Sequence, residues 1–129
     1  MLLNKLSKEC FENAKAKGFH SLTEENKDLV IPRDLMLIVT ELSEAMEALR
    51  HNRWAELQLY QFDTAANSSE DFNKIGFEAY IKDRFEDEIS DTFIRLFHLC
   101  GLLNIDIDAH VKLKMEYNKT REHKHGKKF

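Results

Sequence analysis

The sequence predicts an all-α protein, a bundle of about five helices. Two observations carry that prediction. Punctuation is scarce, with one proline (Pro32) and four glycines in 129 residues, whereas a sandwich or barrel needs a turn signal about every ten residues. Apolar residues also recur at intervals of three and four rather than in alternation. A chain this long fits one domain, 1–129. Its 43% hydrophobic and 33% charged residues place it in the globular class.

The first helix is predicted over residues 2–17, where Leu3, Leu6, Cys10 and Ala14 share a face and Gly18 is a natural stop. Residues 19–31 read as a loop. Pro32 suits the first turn of a second helix, Asp34 suits its dipole, and the helix runs to about Arg50. Residues 51–80 read as an insertion, with a short helix over Trp54–Phe62 and a turn at TAANSSED. A long helix is predicted over roughly 78–103, ending near Gly101 and Asn104. Asp106 reads as the N-cap of a last helix reaching about Thr120. A basic tail, 121–129, is expected to be extended. Phe19, His20, Trp54 and Tyr60 are read as packing residues in preference to base-stacking ones, and His98 as a structural hydrogen-bonder.

Several function classes fall away. No stretch approaches the roughly 18 apolar residues of a membrane span, and MLLNKLSKEC turns polar too early for a signal peptide. Cys10 and Cys100 match no metal or redox spacing, so both are expected to be reduced, in a cytoplasmic protein. The net charge of −4 divides unevenly: residues 110–129 carry +5, leaving −9 on the rest. An acidic body with a basic end is no nucleic-acid footprint. It suits a site that needs a metal and must also neutralise phosphate.

On the second helix, Leu35, Ile38, Val39, Leu42, Ala45, Met46 and Leu49 form one apolar stripe, expected to face the core. Glu41 and Glu44 share another stripe with Leu37 and Ala48 and project from successive turns. The long helix over 78–103 is apolar almost all round in its second half, more than one such chain needs to bury against itself. Its exposed faces are therefore expected to be completed by self-association. Yet Glu88 and Asp91 lie there, in line with Arg95, Leu99 and Leu102. Two carboxylates about 5 Å apart repel by roughly 3 kcal/mol at an effective dielectric near 20. Four buried together must be protonated, paired with bases or held by a cation, and Arg95 answers for only one. All-oxygen ligation selects Mg²⁺, with Mn²⁺ a possible substitute. ExxE also arises by chance among 23 acids, as at Glu9/Glu12 and Glu44/Glu47. Each pair alone reads as a solvated or salt-bridged helix face; two pairs on two apolar helices favour a metal site. Glu47 is a candidate extra ligand.

ELSEAMEAL (41–49), EDEISDTFIRL (86–96) and NIDIDAHVKLKMEYNKTR (104–121) together resemble the MazG-like all-α nucleoside triphosphate pyrophosphohydrolases. That family pattern is an EExxE helix, an ExxD helix, then a lysine and asparagine on the next helix. Glu41 and Glu44 match the last two acids of its first motif, Thr40 standing at the first; Glu88 and Asp91 match the second. Lys114, Asn118 and Arg121 are similar to its phosphate-contacting segment. The resemblance implies hydrolysis of a nucleotide between the α and β phosphates, Mg²⁺ as cofactor, Glu41, Glu44, Glu88 and Asp91 as catalytic ligands, and a homodimer or homotetramer. The same residues also suit a nucleotide-binding module without turnover.

Overall fold

The computed structural model describes residues 2–19, 21–67 and 69–128, so His20 lies outside the described residues. The helices are α1 (Leu2–Ala16), α2 (Lys27–Arg50), α3 (Leu57–Ala66), α4 (Glu70–Tyr80), α5 (Phe85–Leu102) and α6 (Ile107–Lys119). A 3₁₀ turn, His123–Gly126, follows where an extended tail was expected. Among the described residues there is no strand. No helix is long and apolar enough to cross a membrane. The chain divides into two compact units, Thr23–Leu96 and the segments flanking it.

In the Thr23–Leu96 unit, α2 begins five residues before Pro32, so the proline is interior and not a first-turn residue. The reason is a reciprocal cap that the sequence reading missed. Asn26 N donates to Thr23 Oγ1 at 3.2 Å and Thr23 N donates to Asn26 Oδ1 at 2.8 Å, a capping box built with asparagine in place of glutamate. Asp34 accordingly lies inside the helix, buried, with one oxygen held by Arg33 at 2.6 Å. At the other end Arg53 N donates to Ala48 O and Asn52 N to Leu49 O, with Asn52 at φ 53°. That pair of bonds is a Schellman stop.

The insertion holds two helices where one was expected. Ser69 accepts from Phe72 N at 3.2 Å and starts α4, whose first turn carries Glu70 and Asp71. Gly76 is where α4 presses on α3: a Cβ there would lie 3.3 Å from the Tyr60 ring. Tyr80 Oη donates to Asp63 Oδ2 at 2.6 Å and fixes the same pair. The long helix predicted from residue 78 is divided by a turn at 81–84, with Asp83 at φ 58°. Phe85 N donates to Arg53 O at 3.0 Å and the Trp54 ring lies 5.0 Å from that of Phe85, so α5 starts against the end of α2.

Of the stripe expected to face the core, α2 buries only Ile38 and Ala45. Val30, Ile38, Glu41, Ala45 and Ala48 are buried, whereas Leu35, Val39, Leu42, Met46 and Leu49 are 43–52% exposed. Small residues at 45 and 48 admit close neighbours, and Glu41 finds Arg95 on that side. On α5, Phe93 and Ile94 are likewise half-exposed.

In the flanking unit, α1 and α6 clasp each other's N-termini. Asp108, buried, accepts from Leu3 N and Asn4 N at 3.3 and 2.9 Å. Asn4 Nδ2 donates to Asp106 Oδ1 at 2.8 Å, and Asp106 caps α6 through Ala109 N as expected. Gly101 does not end α5; it is a point of contact, where a Cβ would sit 2.7 Å from Ser7 O. The stop is Asn104, at φ 51°, with Ile105 N donating to Cys100 O. Cys10 and Cys100 are free thiols, half-buried, and burial raises both pKa values. His98 stacks on Phe11.

Candidate metal centre

The centre lies within the Thr23–Leu96 unit, where α2 and α5 each present acids from successive turns. One carboxylate oxygen from each of Glu41, Glu88 and Asp91 lies within 4.8 Å of the other two. Three of the four acids expected from sequence are thus brought together. Glu44, exposed, stands on the wall of the adjoining cleft with Glu88 and Asp91. Glu47 turns away to the surface, where His51 and Arg50 bond it at 2.7 and 3.3 Å and hold its pKa down.

The three convergent acids have different surroundings. Glu41 accepts from Arg95 Nε at 2.6 Å, so its charge is answered. Glu88 is 5% exposed; its backbone carbonyl accepts from Thr92 Oγ1 at 2.9 Å, while its carboxylate makes no hydrogen bond or ion pair among the described residues. Burial, then the charges of Glu44, Asp87, Glu41 and Asp91, push its pKa up to about 7. Burial raises Asp91 as well, followed by Asp87 and Glu41, with Arg95 opposing. That carboxylate lines the adjoining cleft, and among like charges with no basic partner it is costly unless a proton or cation joins it. The donor set is oxygen only, which fits a hard divalent ion.

Sequence reasoning missed two acids. Asp83 and Asp87 form a second group with Glu88, again within 4.8 Å. Asp87 Oδ2 accepts from Asp83 N at 3.0 Å, which caps the turn before α5. The signal was present as D-x-x-x-D ahead of Glu88, but only a break at 81–84 brings Asp83 round to it.

A cleft of about 440 Å³ opens beside these acids, and α4 and the 81–84 turn supply its other wall through Lys74, Phe77, Glu78 and Lys82. The expected phosphate contacts lie in the flanking unit. Lys114 and Asn118 are exposed on α6, with Lys114 Nζ 5.0 Å from the Tyr117 ring centroid. Arg121 was expected on the same helix face but follows the Thr120 cap, its N–H donating to Asn118 O at 3.2 Å. Thr40, at the position of the first glutamate of the EExxE pattern, spends its hydroxyl on Leu37 O at 2.7 Å. Comparison with known proteins gives no match to a family model, a curated protein or a solved structure.

Proposed function

We propose that this chain is a Mg²⁺-dependent nucleotide pyrophosphohydrolase of the MazG-like kind, cleaving a (deoxy)nucleoside triphosphate to monophosphate and pyrophosphate. The observation that carries the reading is the Glu88 carboxylate, on a buried residue and without a basic partner among the described residues, where Glu41 and Asp91 converge on it. Its motif resemblance and the adjoining cleft add support. Glu41, Glu88 and Asp91 would hold the ion, with Glu44 at its edge. Bound there, Mg²⁺ lowers the pKa of a water and offsets charge on phosphoryl oxygens.

The residues divide the remaining work. Arg95 occupies one oxygen of Glu41 and fixes that side chain in place. Glu44, exposed and without an ion pair among the described residues, is free to take the proton of the attacking water. The water oxygen bonds to the α-phosphorus, the bond from that phosphorus to the bridging oxygen breaks, and pyrophosphate departs. The motif resemblance alone, and no observed proximity, assigns Lys114, Asn118 and Arg121 to that leaving charge, Arg121 in bidentate fashion.

We assign the exposed stripe of α2 to a second copy of this chain. Its spacing of four and three residues is that of a self-complementary helix seam.

A panel of canonical and damaged (d)NTPs assayed with Mg²⁺ for pyrophosphate tests the reaction. Turnover of at least one member is expected; binding across the panel without turnover overturns the hydrolase and leaves a nucleotide-binding module. On the best substrate, Arg121→Ala should lower kcat/KM by roughly ten- to a hundredfold, the loss of one charge-assisted contact of about 1.5–3 kcal/mol. Full activity in an Arg121→Ala, Lys114→Ala double variant removes these residues from the mechanism.

A further inference from the structure

The helix α4 belongs to a stretch that reads, in sequence, only as an insertion, yet its position is specific. Lys74, Phe77 and Glu78 recur at three and four residues and so share one face. Gly76 lies on the opposite face, pressed against Tyr60 of α3. Seating α4 by its glycine turns Lys74 and Phe77 into the cleft that Glu44, Glu88 and Asp91 line from the other side. Lys82, from the turn that follows, joins them. It sits 3.9 Å from Asp83 Oδ2, and Lys74 makes no ion pair among the described residues.

The charge balance of the cleft sets a requirement. Glu44, Glu78, Asp83, Asp87, Glu88 and Asp91 face only two ammonium groups, those of Lys74 and Lys82. An anion enters such a cleft as a metal complex, and Lys74 and Lys82 are the only cations among the described residues that line it. Phe77, 40% exposed, supplies an apolar surface between them. At about 440 Å³ the space is within the range of roughly 300–1,000 Å³ usual for small-molecule sites.

We propose that α4 provides the phosphate and base contacts of this cleft, Lys74 and Lys82 holding the polyphosphate chain of a metal–nucleoside triphosphate while Phe77 packs on its base. The proposal rests on the metal–nucleotide reading above but not on turnover. It makes the inserted helix, more than the motif helices, the element that selects the ligand. A lysine here differs from one that merely softens repulsion among acids. The first contributes to triphosphate binding at saturating Mg²⁺; the second contributes to metal-free stability and nothing else.

The test is calorimetry on the full chain with inorganic tripolyphosphate, and then ATP and dCTP, at saturating Mg²⁺. Lys74→Ala, Lys82→Ala should weaken tripolyphosphate binding by about tenfold or more, while Mg²⁺ titrated alone binds as tightly as before or more tightly. Lys74→Arg, Lys82→Arg should restore much of the loss. Phe77→Ala should leave tripolyphosphate unchanged and remove the added affinity of the nucleotides. Unchanged tripolyphosphate affinity in a folded double alanine variant overturns the assignment, as does a wild type that binds Mg²⁺ but no tripolyphosphate. A loss matched by an equal loss of Mg²⁺ affinity overturns it too. Binding that follows these expectations with no pyrophosphate released supports the proposal and overturns only the hydrolase reading.

Discussion

Glu88→Gln should stabilise the metal-free protein near neutral pH and abolish its response to Mg²⁺. Folded, Glu88 keeps its proton up to about pH 7, because burial and then four neighbouring acids oppose its charge; its ordinary value is 4.5. Between those values the folded chain binds a proton that the unfolded chain releases. The share of metal-free stability that Glu88 governs is therefore complete below about pH 4.5 and is lost as pH rises to about 7. Solvent in the cleft screens part of this gap, so the expected effect is on the order of 1–2 kcal/mol, or about 5 °C in Tm for a chain of this length. Asp91, also raised, adds to the fall in the same direction. Mg²⁺ competes with the proton, so the rise in Tm that it gives should grow as pH climbs through 7. Glutamine removes the charge and the ligand together: the steep metal-free profile flattens and the metal-dependent gain disappears. Thermal denaturation in EDTA and in millimolar Mg²⁺, from pH 5 to 8, reads both effects. A wild-type profile in EDTA as flat as that of the variant overturns the account of Glu88. No shift with Mg²⁺ in the wild type overturns the metal centre.

The second large effect is expected on assembly. Leu35, Val39, Leu42, Met46 and Leu49 leave about half of each side chain in water. At 100° per residue their stripe lies about 120° around α2 from Glu41, clear of the acids. Fully burying a Leu or Met is worth about 1.5–3 kcal/mol, and a two-fold interface uses each residue twice. Leu42→Lys with Met46→Lys should thus weaken a dimer by several kcal/mol, on the order of a thousandfold in Kd. Light scattering at micromolar concentration should give the dimer mass for the wild type and the monomer mass for the variant. A monomeric wild type removes the second copy from the stripe.

The same stripe shows where sequence stops being legible. Periodicity located α2 and its two faces, but not which face the chain itself would cover. The larger side chains argued for one side, while Ala48 and the Glu41–Arg95 bond settled on the other, with Ile38 and Ala45 at the border between them. Caps were readable where their chemistry was common, as at Asp106. They were missed where it was not: Thr23 with Asn26, or Ser69 in a run of polar residues. The convergence of Glu41, Glu88 and Asp91 followed from spacing and from the magnitude of carboxylate repulsion. Asp83 and Asp87 did not, because a predicted helix from residue 78 hid the left-handed residue that turns Asp83 toward Glu88.

The clasp between α1 and α6 has a consequence for the chain while it is being made. The amides of Leu3 and Asn4 find their acceptor in Asp108, separated from them by 105 and 104 positions in sequence. A helix of the 15 residues of α1 is marginal by itself in water, and contacts this distant form late because the intervening chain must close first. On the ribosome the order of synthesis and the order of closure are opposed. The helix that emerges early waits, its N-terminus bare, for an aspartate translated about a hundred codons later.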